Sequence, residues 1–261
     1  MNLLAFDTST DALSLAVSRG VGAQQLVWQH SGPGGAQASS SLINAIMGLL
    51  RQADLRLADL DAICFGSGPG SFTGLRTACS VAQGLAFGAN VPVLPVPSLL
   101  ALAQAARSDA APDATQGRVT ALLDARMDEI YAASYAFDGA LWTLLQAPCL
   151  VAPEDVVHWS CLSAAPVGPP VWQAFAGNVV GVYGDRLRLA PDAPCVSALP
   201  TATAMLQLAP ALLAAGQAVP ASQALPLYVR DKVAKTTLER ELEKADKAQL
   251  LARQASTSPH A

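Results

Sequence analysis

The clearest opening pattern is the apolar run Leu3 to Phe6, which ends in the turn-forming segment Asp7-Thr8-Ser9-Thr10-Asp11. Leu13, Leu15 and Val17 then alternate with small or polar neighbours, so the two stretches predict a β-hairpin. A third strand is predicted over about 23–30, followed by a loop rich in Gly and Ser at 31–38. Leu42, Ile43, Ile46, Leu49 and Leu50 recur at helical spacing, which predicts a helix over about 39–53 with N-caps among Ser39–Ser41. Residues 61–65 read as a buried strand, 66–70 as a tight loop, and about 73–87 as a second helix. A strand near 91–96 and a third helix from a Ser98 cap to about Arg107 complete the series.

A linker at 108–117 rich in Ala, Asp, Pro and Gly follows, and then the opening pattern returns. Moved along by 117 positions, Leu4-Ala5-Phe6-Asp7 lies over Ala121-Leu122-Leu123-Asp124, Asp11 over Asp128, and Leu13 over Ile130. An element series that opens twice in the same way signals internal duplication. The second half continues with a helix near 153–160, a strand near 174–181 and a helix near 201–215. A duplicated unit of three strands followed by alternating helices and strands is the layout of the actin, hexokinase and Hsp70 superfamily, so the fold class is α/β and actin-like, with two related sheet domains. The divisions expected are a first domain over 1–108, a second over 109–220, a return segment over 221–237, and a charged helical tail over 238–261.

Of the 261 residues 52% are hydrophobic and 14% charged, against roughly 25% charged in an ordinary globular chain. A large core is available; the thin charge is read either as surface covered by a partner or as the effect of an alanine-rich composition without any interface. The net charge of −4, without a basic run ahead of the C-terminal region, gives no footprint for holding nucleic acid directly. Cys64, Cys79, Cys149, Cys161 and Cys195 form no CxxC pair, which suits a reduced compartment. The N-terminus has no basic region before its apolar run, and no apolar stretch reaches about 18 residues. A cytoplasmic protein without a membrane span is expected.

Candidate chemistry is sparse. The segment Gly66-Ser67-Gly68-Pro69-Gly70-Ser71-Phe72-Thr73-Gly74-Leu75-Arg76 could present backbone N–H groups to an anion at a helix start. It fits neither a phosphate loop ending in GK[ST] nor GxGxxG nor GxSxG. The other reading is a tight strand-to-helix turn capped by Ser71 or Thr73. Asp7 and Asp124 are candidate phosphate-turn carboxylates, with Thr8 and Ser9 beside the first. Ser9 and Arg126 occupy the places where an actin-like phosphate turn wants glycine, and a Cβ there limits the approach of a phosphate. The favoured reading is that both aspartates satisfy nearby turn N–H groups. His30, His158 and His260 make no HxxxH or HExxH pair, so no metal site of those kinds is expected.

The second predicted helix carries small residues at Gly74, Ala78, Ala82 and Gly84 and apolar ones at Leu75, Cys79 and Leu85, with no charge from Thr77 to Asn90. The first carries none from Ser39 to Leu50. Leu42, Ile46, Leu49, Leu75, Ala78, Cys79, Ala82 and Leu85 are therefore candidates for a partner interface, with packing against the chain's own sheet as the other reading. The segment LERELEKADKAQLLARQAS at 238–256 reads as a solvated charged helix.

Four segments in order, LLAFDTSTDALSLAV, GSGPGSFTGLRTACSVAQGLAFG, LLDARMDEIYAASY and PLYVRDKVA, resemble the bacterial TsaB family, also called YeaZ, over nearly the whole chain to about Thr237. The resemblance implies an actin-like protein needed to make threonylcarbamoyladenosine beside the anticodon of tRNAs reading codons that begin with A. It implies a non-catalytic, activating subunit that binds TsaD, the metal-binding catalytic relative, and is joined by the ATPase TsaE. It also implies homodimers through helices of the first domain, contact with tRNA only through the complex, and no cofactor of its own beyond weak adenine-nucleotide binding. An independent actin-like ATPase or small-molecule kinase is the competing expectation, and a glycoprotease-type peptidase a third. Family members often carry a histidine ahead of the first helix; Ala38 stands there.

Overall fold

The computed structural model describes residues 1–20, 22–159 and 172–230. Within them the chain order is β1 Leu3–Asp7, β2 Ala12–Arg19, β3 Leu26–Pro33, α1 Gly35–Gln52, β4 Ala62–Gly68, α2 Phe72–Ala89, β5 Val93–Pro97 and α3 Ser98–Ala110. It then repeats as β6 Gln116–Asp124, β7 Ile130–Asp138, β8 Leu141–Val151, α4 Val156–Trp159, β9 Trp172–Gly177, α5 Val179–Tyr183, β10 Cys195–Ser197 and α6 Ala202–Ala214. The sheets run β3-β2-β1-β4-β5 and β10-β9-β6-β7-β8, the same connectivity read in opposite directions. In each, the first three strands pair antiparallel and the last two join in parallel. The molecule is thus a duplicated actin-like α/β fold. Met1–Val229 form one compact unit. The expected return segment is described only to residue 230, and the expected charged tail, Cys161 and His260 lie outside the described residues.

Strand alternation explains the layering. Leu3 and Ala5 share a cluster with α3, α6 and the β6 residues Val119, Ala121 and Leu123, so α3 and α6 lie between the two sheets. Leu4 and Phe6 face the other way, onto Leu42, Ile46 and Leu50 of α1 and Ala78 and Ala82 of α2. On the outer face of the second sheet, Leu122, Ile130 and Phe175 pack with Val156, Val179 and Tyr183.

These clusters correct the internal alignment. A shift of 117 places Leu4 over Ala121, yet Leu4 faces α1 and α2 whereas Ala121 faces α3 and α6. A one-residue slip turns every side chain of a strand to the other face. The repeat is real in topology, but the two aspartates matched by that shift point to opposite faces of their sheets.

Other differences have local causes. The helix expected from about 39 begins at Gly35, with Gly34 as a cap that makes no side-chain hydrogen bond. Its start is fixed by tertiary contact: the Gly34 N–H donates to the Asp11 carbonyl at 2.7 Å, and a Cβ on Gly34 would come within 2.6 Å of the Thr10 oxygen. Ser40 and Ser41 instead bond back to the Gln37 carbonyl. Ser98 does not cap α3 but lies inside its first turn, its hydroxyl taken by Asp7. The sequence pattern missed β8, whose pairing with β7 shifts register twice and so breaks alternation, and β10, which is three residues long.

Candidate functional site

The β1–β2 and β6–β7 turns meet, as an actin-like cleft requires, but they meet in contact. Arg126 of the second turn forms an ion pair with Asp11 of the first. The same guanidinium lies 3.5 Å from Asp124. Arg126, Met127 and Asp128 all adopt left-handed φ values, a conformation costing non-glycine residues roughly 1–2 kcal/mol each. Ion pairs hold this turn from both sides, since Arg186 bonds Asp128 and Glu154, each at 2.8 Å.

Neither aspartate presents a carboxylate to the cleft. Asp7 is 1% exposed, and its Oδ1 accepts from the Ser9 N–H at 2.7 Å and the Ser9 hydroxyl at 2.6 Å. Its Oδ2 accepts from the Ser98 hydroxyl at 2.9 Å. Asp124 Oδ1 accepts from the Tyr183 hydroxyl at 2.7 Å and the Arg126 N–H at 2.9 Å, and its own N–H donates to Asn178. These carboxylates organise their own turns. Among the described residues no group of three or more His, Cys, Asp or Glu could hold a metal ion.

Burial raises the Asp7 carboxyl above the ordinary range, outweighing the hydrogen bonds from Ser9 and Ser98 that lower it. The folded protein therefore holds this proton more tightly than the unfolded chain. The associated stability is fully present below the unfolded value of about 4 and is lost as pH rises through the folded value. Asp7→Asn keeps the size and one acceptor oxygen, with no proton to lose. Denaturant titrations from pH 4 to pH 8 should show the variant gaining stability relative to wild type as pH rises; a pH-independent difference would contradict the assignment.

The glycine-rich segment is docked on the first turn. A Cβ on Gly66 would overlap the Asp7 carboxylate, one on Gly74 the Thr8 carbonyl, and one on Gly70 would lie 2.5 Å from the Ser9 carbonyl. The Thr8 hydroxyl donates to the Gly74 carbonyl at 2.7 Å, the Ser71 N–H to the Ser9 carbonyl at 2.7 Å, and the Gly68 N–H to the Ser98 hydroxyl at 3.2 Å. Ser71 caps α2, and Pro69 is buried after a cis peptide bond from Gly68. Two of the amides that could have met an anion are thus used within the chain. At the exposed end, Arg76 stacks over Phe72 at 3.8 Å and bonds the Tyr228 hydroxyl at 3.2 Å, while Thr73 is exposed.

The expected interface residues need correction. Leu42, Ile46, Leu49, Leu75, Ala78, Cys79 and Ala82 are all buried in the chain's own core. Helix amphipathicity turns them onto the first sheet, and Leu85 alone of the eight keeps partial exposure. The outward faces are instead built by Ile43 and Met47 on α1 and by Ser80, Gly84, Phe87 and Gly88 on α2. Ile43 is 49% exposed and Phe87 84%.

The family model for TsaD, tRNA N6-adenosine threonylcarbamoyltransferase, matches residues 35–238. The tRNA threonylcarbamoyladenosine biosynthesis protein TsaB of Escherichia coli is 32% identical over 244 residues, 90% of this chain and 96% of the relative. The chain belongs to the TsaB family. The TsaB protein of Haemophilus influenzae is 30% identical over 89% of this chain and 95% of its own length. YeaZ from Pseudomonas aeruginosa superposes with a TM-score of 0.71 at 36% identity, over 87% of this chain and 99% of that one. Among the described residues no helix is long and apolar enough to cross a membrane.

Proposed function

We propose that this chain is a cytoplasmic, non-catalytic subunit in tRNA threonylcarbamoyladenosine biosynthesis that binds and activates TsaD, with TsaE joining the pair and tRNA met through the complex. The observation that carries this reading is that Asp7 and Asp124 are engaged by their own chain, while Arg126 pairs with Asp11 across the two turns. A second copy of this chain would compete for the same docking face. That face is the outward side of α1 and α2, where large apolar side chains alternate with small ones. Exposed apolar area of this kind marks association surfaces, and the small residues let a partner helix approach closely. Two helices from each side would form a four-helix contact.

Co-purification tests the reading. Ile43→Glu and Phe87→Glu place charges on exposed positions, where their effect on folding stability is expected within about 0.5 kcal/mol. Each should weaken TsaD binding at least about tenfold, because the carboxylate would be desolvated on docking. Full TsaD binding by the folded double variant would defeat the proposal. The isolated protein is expected to hydrolyse no ATP in the presence of magnesium. Activity that survives purification and disappears in Asp7→Ala would favour the ATPase reading.

A further inference from the structure

A cavity of about 360 Å³ opens where the β7–β8 hairpin meets the C-terminal half of α6. Its walls are apolar, with Leu100, Leu144, Leu208 and Leu212 around the rings of Tyr135 and Trp142, and among the described residues no charged side chain lines it. The volume lies within the range of small-molecule sites, roughly 300–1,000 Å³. The two rings meet edge to face with centroids 6.3 Å apart, and the Trp142 Nε1–H is spent on Gln104 at 2.9 Å.

Tyr135 is the unusual member. Its side chain is only 4% exposed, yet its hydroxyl has no hydrogen-bond partner among the described residues. Buried tyrosines usually give the hydroxyl a partner. Another buried tyrosine, Tyr183, gives its hydroxyl to Asp124. Unlike the Ser18 hydroxyl, which is sealed in the core without a partner, the Tyr135 hydroxyl is not closed off, and Tyr135 lines the cavity. Burial raises the phenol's pKa, so it remains a donor throughout the neutral range.

From this combination we infer that the cavity binds an uncharged small organic molecule with a flat or branched apolar body and one hydrogen-bond acceptor, which takes the Tyr135 hydroxyl. An ionised ligand would be buried with no counter-charge, which excludes nucleotides and free amino acids. The site is separate from the hairpin turns and from the outward face of α1 and α2.

The test uses the full chain and prodan, a neutral naphthalene ketone whose emission reports both apolar surroundings and hydrogen bonding to its carbonyl. Saturable binding with blue-shifted emission relative to water is expected. Tyr135→Phe should weaken binding about fivefold, the value of one hydrogen bond, and shift the bound emission further to the blue. Ala211→Trp or Leu144→Trp, either of which fills the cavity, should reduce binding at least about tenfold while thermal unfolding stays cooperative; two filling variants guard against one that fails to fold. Absence of saturable binding, Tyr135→Phe indistinguishable from wild type, or a folded cavity-filled variant that binds as wild type would each overturn the inference.

Discussion

Gly74→Ala is expected to lower folding stability by about 3 kcal/mol or more, the upper range for forcing extra volume into a packed site. The added Cβ would overlap the Thr8 carbonyl oxygen, which is backbone and cannot swing aside. Moving α2 away would break the 2.7 Å hydrogen bond from the Thr8 hydroxyl to the Gly74 carbonyl and the Ser71 amide contact with Ser9. Gly84, ten residues along the same helix, has no heavy atom within 4 Å of its added Cβ. There alanine should stabilise by about 1 kcal/mol through helix propensity alone. Urea unfolding of the pair decides the matter, because the two shifts are expected to have opposite signs. Shifts of the same sign would mean that contact with the turn does not govern Gly74. Since Gly84 lies on the outward face, its alanine variant should also hinder a partner helix while making the subunit itself more stable.

The same contrast shows how much of the site could be read in advance. The glycine-rich segment stands out in sequence because four glycines in nine residues are unusual before a helix, and an anion cradle and a tight turn both use glycine there. What distinguishes them is which backbone lies opposite, and Thr8 and Ser9 are about 65 residues away in sequence. The element series of the first half was legible because its strands and helices are long and keep their periods. In the second half β8 loses alternation at its bulges, while α5 and β10 are too short to show any period. The duplication was legible as a pattern but misaligned by one residue, since paired aspartates are a stronger visual cue than strand parity. The Arg126–Asp11 bridge had no sequence signal beyond Arg126 standing where glycine was wanted.

Ala82→Glu separates folding from docking in the most direct way. Ala82 has no exposed surface and belongs to the cluster that holds Phe6, Phe65 and Ile46. A carboxylate confined there can shift its pKa upward by about 3–5 units, and each unit is about 1.4 kcal/mol. The full penalty, about 4–7 kcal/mol, is reached only above the raised pKa; at pH 7 about 4 kcal/mol of it is expressed, a large share of the stability of many domains. With the folded pKa raised, this penalty is full above that value and is relieved as pH falls toward the unfolded value near 4. The variant should recover part of its stability at pH 4–5, where the acid is neutral, although the extra volume still strains the core. Phe87→Glu, five residues further on and exposed, should leave the unfolding midpoint almost unchanged at either pH. Circular dichroism melts at pH 4.5 and 8 measure this contrast. An Ala82→Glu protein that melts like wild type at pH 8 would mean that α2 turns this face to solvent, and the buried stripe would then have to be reassigned.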